Sequence, residues 1–582
     1  MSGRMTPETD IAKTPTGYDS SSLDEKARSG GLAIDSISDD MSVIKDHDAH
    51  GAKAKTNATT MKTTTAMPKS DSTTHGVGGI DILGAGDDSP LNAYLMFCTL
   101  AVGFGGLNWG FENALVGPIS AMTAFVRDFQ GLNEKTNSYV LTATHQSILF
   151  SVPLTGTVVG ALGSSPFQTK WGRKYALLSA YATSIGAVFL QLFAPNFAAY
   201  IVGRWWNAVS YGAALAIAPN YLADLVPASM RGRFVSAANI ATIAASVIAT
   251  AACYASTQTH PDDKLAYRIP LAVQAALPFA LILPTIFCVE SPSWLLSKGR
   301  VDEARRTLRK IRGFSDQDVE KELSVLLVVE EERKAATNKP NPFDIYNRQN
   351  ILRTLVGGSI FSPNQCSGII LSTTYATVFL VQLGVGNAFM LSLIGNICQF
   401  VGTLLAPFVL DNFGRRPVAL IGFTILFLID VSAGTLAFFA KDSYACGVAI
   451  AALSFLFNIC WTLSFYSISL LMPAEIPTER LRNPTMTHAV GFGQVTAIIT
   501  TLCVPMITAD DAAGLGAKAY LIFAGCMLGI LVGAALLLPE TKGRTTLEID
   551  ELYQRKVPAW RWKGFETSVE VREKEGMPPS SM

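Results

Sequence analysis

A chain of 582 residues, 49% hydrophobic and only 16% charged, with a mean hydropathy of +0.31 in spite of long polar ends, is not composed like a soluble protein. Lysine plus arginine and aspartate plus glutamate balance at 46 each, so no net field invites a nucleic acid. The nine cysteines, Cys98, Cys288, Cys398 and Cys503 among them, stand singly in or near apolar runs without a CxxC pair, which argues against a disulfide framework or a zinc site. No nucleotide loop, metal cluster or Ser/His/Asp arrangement stands out, so neither an enzyme nor a cofactor is expected.

Residues 1–88 are rich in Ser, Thr, Asp, Lys and Gly and read as a disordered cytosolic tail; the Asn57-Ala58-Thr59 sequon there would not meet a glycosyltransferase. From Leu91 onward, apolar stretches long enough to cross a bilayer recur with little between them. They centre near Gly103, Val152, Ala187, Ala214, Ala244, Leu281, Ile370, Gln399, Leu428, Phe457, Thr496 and Leu528, which predicts twelve spans. With both ends in the cytosol, the inside loops hold Lys170, Arg173, Lys174, Arg231, Arg233, Arg415, Arg416, Arg480, Arg482, Lys542 and Arg544, while the outside loops are sparse in Lys and Arg. The expected architecture is an all-α membrane protein: a six-helix bundle over 89–292, a cytosolic helical linker over 293–349, a second six-helix bundle over 350–540, and a cytosolic C-terminal tail over 541–582. The linker reading rests on charged helical spacing such as Val301-Asp302-Glu303-Ala304-Arg305-Arg306.

Three signals occur twice. Trp171-Gly172-Arg173-Lys174 returns as Phe413-Gly414-Arg415-Arg416, 242 residues on. Asp224 with Arg231 returns as Glu475 with Arg482, 251 residues on, and Glu290-Ser291-Pro292 returns as Glu540-Thr541-Lys542, 250 residues on. Similar offsets imply a duplicated unit of about half the membrane domain, with a site between the copies.

At these residues the chain resembles the sugar porter family of the major facilitator superfamily, particularly its fungal members, over roughly Leu91 to Tyr553. The ordered set carries the resemblance: Gly203-Arg204, Pro219-Asn220-Tyr221-Leu222-Ala223-Asp224, Arg231-Gly232-Arg233, Tyr267-Arg268-Ile269-Pro270, Glu290-Ser291-Pro292-Ser293-Trp294-Leu295, and Pro539-Glu540-Thr541-Lys542-Gly543-Arg544. It implies that Arg173, Asp224, Arg231 and Glu290 in one half, and Asp411, Arg415, Glu475, Arg482 and Glu540 in the other, are gating charges whose pairs part as the halves rock; for any single residue, topology charge is the alternative. The usual acid two residues before the aromatic is kept as Asp411 but replaced by Thr169 in the first loop, which predicts a weaker or rewired latch there.

The resemblance further implies that Glu112 carries a transported proton with Arg204 as its partner; a static ion pair is the alternative. Asp430, in the ninth span, is expected to play a local hydrogen-bonded or interfacial role. By the same resemblance, Asn239, Asn364, Gln365 and Asn396 are candidate sugar-binding amides, with Phe361, Tyr375 and Trp461 as aromatic faces. The hexose pattern then breaks at Ile370, where an amide is usual, and at Tyr466-Ser467-Ile468-Ser469-Leu470, where Gly-Pro-x-x-Trp is usual. His488 reads as a packed residue. The functional expectation is proton-coupled symport of a sugar or polyol across the plasma membrane, with sugar, protons and the lipid bilayer as partners; export of a sugar-like metabolite and a non-transporting nutrient sensor are the alternatives.

Overall fold

The computed structural model describes residues 92–134, 137–227, 230–312, 316–335, 342–360, 364–373, 387–439, 443–478, 481–568 and 571. The expected tail over 1–88 lies outside the described residues. Helix is the regular element throughout; a single bridge between Asn133 and Ser138 is the one extended pairing among the described residues.

The first half consists of α1 (Ala93–Ala121), α2 (Ala143–Trp171), α3 (Arg173–Leu192), α4 (Phe197–Leu225), α5 (Arg231–Thr259) and α6 (Leu265–Phe287). Two linker helices follow, α7 (Val301–Arg312) and α8 (Asp316–Ala335). The second half holds α9 (Ala388–Phe413), α10 (Arg415–Leu436), α11 (Tyr444–Glu475), α12 (Arg482–Thr508) and α13 (Gly516–Leu537), followed by α14 (Thr546–Gln554) and a 3-10 turn Ala559–Gly564.

Ten of the twelve expected spans are helices both long and apolar enough to cross a bilayer. The eleventh, α4, is 29 residues long but is diluted by Arg204, Asn207, Asn220 and Asp224. The expected span around Ile370 is not one continuous helix. Its described parts are a short helix Ile351–Thr354, a π turn Leu355–Ser359, a 3-10 turn Asn364–Ser367 and a short helix Ile369–Ser372. The last begins after Gly368, whose φ of +85° is left-handed and favours glycine.

Glycines let the helices of the first half touch backbone to backbone. A Cβ on Gly105 would lie 2.8 Å from Ala218 Cβ, one on Gly110 2.0 Å from the Thr242 carbonyl oxygen, and one on Gly160 2.0 Å from the Val209 carbonyl oxygen. The glycines near Gly103 thus serve close packing of α1 on α4 and α5, as small residues do in membranes. Gly110→Ala should lower the thermal midpoint of the purified protein by the equivalent of about 3 kcal/mol, the upper part of the overpacking range. Gly163→Ala, which meets nothing within 4 Å, should leave the midpoint in place.

The apolar cores are distributed unequally along the helices. Call the end that carries Gly172 and Gly414 the basic end. At the opposite end one continuous cluster joins both halves, uniting Phe111, Leu115 and Leu149 with Ile370, Val504 and Tyr520. There the Ala143 N–H of α2 donates to Asp511 Oδ2 at 3.0 Å, and Ser147 Oγ donates to the Leu502 carbonyl at 3.0 Å. At the basic end the cores are two separate clusters, one in each half.

The linker belongs physically to the first half. Ala304, Leu308, Ile311, Val319 and Leu323 join that half's basic-end core, and Arg312 donates to the Leu225 carbonyl at 2.7 Å while pairing with Glu322 at 2.9 Å. The segment after 541 is no loose tail up to Ser568. The Thr545–Glu548 capping box starts α14, whose Ile549 and Leu552 pack on the buried Trp562, and Arg353 pairs with Asp550.

Candidate functional site

Two places hold the polar groups that an apolar helical bundle has to account for. The first is a buried network in the first half. Glu112 on α1 and Arg204 on α4 are both almost fully enclosed, with Glu112 Oε1 3.1 Å from an Arg204 terminal nitrogen. The other carboxyl oxygen accepts from Asn207 Nδ2 at 2.9 Å and from Gln274 Nε2 on α6. Asn207 Oδ1 in turn accepts from Ser184 Oγ at 2.7 Å, and that hydroxyl accepts from Asn108 Nδ2 at 2.8 Å. Three helices therefore meet at one carboxylate, and Ser184 ties in α3 through Asn207.

Charge inside a membrane is costly unless paired and hydrogen-bonded, and here α4 supplies both the Coulomb partner and one amide donor while α6 supplies the other. Arg204 Nε, Gln274 Oε1 and Asn108 Oδ1 are buried without a hydrogen-bond partner, so the network keeps unused polar capacity around Glu112. Sequence reading named the ion pair and missed Asn108, Ser184, Asn207 and Gln274. Helical spacing carried a signal: Asn108 and Glu112 are four apart on one face of α1, and Arg204 and Asn207 three apart on α4.

The second place is the basic end, where the duplicated motifs build the same object twice. In the first half the Arg173 N–H donates to Glu290 Oε1 at 2.8 Å and the Lys174 N–H to the same carboxylate at 3.2 Å, so an acid from beyond α6 caps the start of α3. The Arg173 guanidinium pairs with Asp224 at the end of α4, and Ser291 Oγ donates to Asp224 Oδ2 at 2.5 Å. In the second half the Arg415 and Arg416 N–H groups donate to Glu540 at 3.0 and 3.1 Å. The Arg415 guanidinium pairs with Glu475 at 3.1 Å, and Thr541 Oγ1 donates to the other oxygen of Glu475.

Gly172 and Gly414 take φ of +95° and +89°, and a Cβ on either would lie 2.3 or 2.6 Å from Glu290 or Glu540. Both cradles need glycine for conformation and for space. Ser291 and Thr541 are matching parts that sequence reading did not single out. Each cradle ties three helices of its own half together.

The remaining gating candidates fall differently. Asp411 reaches Arg415 at 3.8 Å with its side chain 75% exposed. Thr169 instead bonds back to the Ser165 carbonyl at 2.9 Å and offers its own carbonyl to Trp294 Nε1 at 3.1 Å. The Arg231 side chain lies outside the described residues. Arg482 opens α12 with its Nε buried and without a hydrogen-bond partner; among the described residues it forms no ion pair with Glu475.

Burial pushes the Glu290 carboxyl above its ordinary 4.5, opposed by the Ser291, Lys174 and Arg173 N–H groups and by the Arg173 charge. A raised acid favours the folded state most below its ordinary value, and that contribution is lost as pH rises through the raised one. Glu290→Gln should therefore flatten the fall in melting temperature that the native protein shows over that window.

The sugar-binding candidates are less gathered. Asn239 is half-buried on α5, which packs against α9, the helix of Asn396; Asn396 spends its amide N–H on the Ser392 carbonyl of its own helix at 3.1 Å. Asn364 and Gln365 occupy the 3-10 turn of the broken segment. Trp461 stacks on Tyr466 at 5.3 Å and donates to Ser367 Oγ at 2.8 Å, which fixes that turn from α11. Phe361 and Tyr375 lie outside the described residues. His488 is more than a packed ring. Its nitrogens pair with Tyr346 Oη at 3.0 Å and Ser359 Oγ at 2.9 Å, pinning the last linker turn to the π turn. Asp430, expected to be hydrogen-bonded or interfacial, is fully buried with neither oxygen bonded.

Comparison with known proteins agrees with this architecture. Residues 98–553 match the family model described as "Sugar (and other) transporter". A general alpha-glucoside permease of Saccharomyces cerevisiae is 28% identical over 459 residues, covering 77% of this chain and 74% of the permease. A major facilitator-type transporter, ecdD, of Aspergillus rugulosus is 28% identical over 472 residues, covering 78% and 86%. Among solved structures, the inward-open xylose transporter XylE of E. coli superposes with a TM-score of 0.62 at 20% identity, covering 79% of this chain and 100% of that one. With its paired helical halves, the chain belongs to the sugar transporter family of the major facilitator superfamily, as a multi-pass membrane protein.

Proposed function

We propose that this transporter is a proton-coupled symporter that takes up a sugar or polyol by alternating access across the plasma membrane, with the basic ends of its helices and both chain termini in the cytosol. The observation that carries the reading is the Glu112–Arg204 pair. A buried carboxylate held by one arginine and two amides is costly to keep unless its charge is used. In the form described here one apolar core joins the two halves at the opposite end while the basic end has a separate core in each half, which supports reading this form as closed towards the outside. The positive-inside rule assigns the basic end to the cytosol.

The substrate reading starts from the relatives, several of which are named as alpha-glucoside or maltose permeases. An alpha-glucoside is therefore the first substrate to test. Asn239, Asn364, Gln365 and Asn396 are the amides proposed to meet its hydroxyls, with Trp461 behind the turn. The gating role falls to Arg173, Asp224, Glu290, Arg415, Glu475 and Glu540, with Arg231, Asp411 and Arg482 as outlying members. A second reading, export of a sugar-like metabolite, is favoured by Ile370: where the hexose pattern places an amide, this chain has an apolar residue buried in the core at the opposite end.

The deciding experiment is a panel of alpha-glucosides, hexoses and polyols assayed for uptake and efflux in a transport-null host at two external pH values. Saturable maltose uptake that rises severalfold at acid external pH supports symport. Efflux without uptake would overturn it in favour of the second reading.

A further inference from the structure

Asp430 sits in the last third of α10 at 0% exposure, and among the described residues neither carboxyl oxygen has a hydrogen-bond partner. It lies directly against the broken segment: a Cβ placed on Gly368 would be 3.1 Å from Oδ1 and 3.5 Å from Oδ2. Gly368 closes the turn that bears Asn364 and Gln365, and its left-handed φ fixes the direction in which that turn leaves.

The other side of the turn is held by specific bonds. Trp461 Nε1 donates to Ser367 Oγ, Asn458 Nδ2 to the Ser372 carbonyl at 3.3 Å, and Ser372 Oγ pairs with Tyr520 Oη at 2.9 Å. Asp430 is thus one wall of a clamp whose other walls are α11 and α13.

The surroundings offer no countercharge. Tyr520 on α13 is the titratable group that bears on Asp430 electrostatically. On the other elements packed against α10, Asp411 of α9 is near Arg415 at the basic end, and Lys518 lies over the Phe438 ring at the opposite end. Cys460 on α11 and Tyr466 in its π turn are neutral groups. Among the described residues Asp430 enters no ion pair.

A carboxylate shut off from bulk solvent, without donor or cation, is far more costly than the same group carrying a proton. The neutral acid fits this site; the anion would need donors that the present packing withholds. The nearest source is the backbone of the turn at Gly368, and it can respond only by moving.

We propose that Asp430 is a second proton-binding site, in the other half from Glu112. It holds one proton while the opposite end is closed, and releases it only as the Asn364–Gly368 turn moves away. Its charge state thereby sets the position of Gln365. The consequence for transport rests on the alternating-access reading above, whereas the proton site itself does not.

Infrared spectroscopy of the full-length protein in lipid bilayers tests this without any substrate. The native protein should show the C=O band of a protonated carboxyl that shifts in D2O and shifts again when aspartate is isotopically labelled. Glu112→Gln should keep that band and Asp430→Asn should lose it. Raising the pH should remove the band together with a change in the amide bands, as the turn is displaced.

A native protein without an aspartate band at neutral pH would overturn the proposal, as would a band that persists unchanged to alkaline pH or one that vanishes with the amide bands unmoved. Loss of the band on adding Na+ at constant pH would also overturn it, by assigning the site to a metal cation. The labelled native protein carries the assignment even if Asp430→Asn expresses poorly. Failure of the symport reading would show separately, as accumulation surviving in Glu112→Gln.

Discussion

Glu112→Gln should abolish accumulation of sugar against its gradient while leaving exchange of sugar across the membrane in place. A proton moving down the membrane potential supplies about 2.3 kcal/mol per 100 mV, enough for a roughly 50-fold concentration ratio. Removing the group that couples proton entry to sugar movement should bring that ratio to about one, whatever the affinity for sugar. The glutamine keeps the shape of the side chain, and its single acceptor oxygen can stand in for the one that takes the Asn207 and Gln274 donors, but its NH2 then faces Arg204 where a carboxylate oxygen was. Breaking a buried pair from one side also costs on the order of 3–5 kcal/mol of stability, because Arg204 is left charged and enclosed. Glu112→Asp serves as the control: it retains a titrating group and should recover part of the accumulation. The measurement is the steady-state ratio of labelled maltose at acid external pH, alongside counterflow. An unchanged ratio in Glu112→Gln would reduce the pair to a structural one.

The second large effect is expected at the basic end of the second half. Arg415 serves Glu475 and Asp411, and its side chain is 16% exposed. Arg415→Ala leaves Glu475 with Thr541 as its remaining partner, at a cost of about 2 kcal/mol, below that of a fully buried pair because water reaches the site. If the cradle holds one conformation of the half, that cost can move the equilibrium between conformations by up to about 30-fold. Uptake should fall more than about fivefold, with the maximal rate changing more than the apparent affinity. Asp411→Asn should stay within about twofold of the native rate, since an exposed pair at 3.8 Å contributes little. For the same reason, restoring the missing acid by Thr169→Asp should change little. The result that would sink this ranking is an Asp411→Asn defect as severe as that of Arg415→Ala.

The duplication was legible in the sequence because its parts are charged, glycine-marked and repeated, and each part returned in the structure with the same role: a glycine turn, a capping acid and an arginine bound to an acid. The buried network was legible only at its charged ends. Amides and hydroxyls inside apolar helices serve helix packing as readily as a site, so Gln274 and Ser184 gave no distinct signal until their contacts were visible, and Asn207 only its spacing from Arg204. The break in the segment around Ile370 stayed hidden because glycine is ordinary in membrane helices, and nothing in the local pattern marks Gly368 as left-handed. Asp430 was misjudged for a related reason. A lone acid in an apolar run implies a partner, and only the three-dimensional surroundings show that it has none among the described residues.

The two ends of the bundle are closed by different physics. The opposite end is sealed largely by apolar surface shared between the halves, whereas the basic end is organised by charge within each half. Opening the opposite end must hydrate hydrocarbon, so that step carries a positive heat-capacity change and its equilibrium constant should curve with temperature. Cooling weakens the apolar seal and should raise the share of transporters open at that end. The carrier is thereby given a built-in thermal bias in the direction it faces, one that no change in its substrate site would remove.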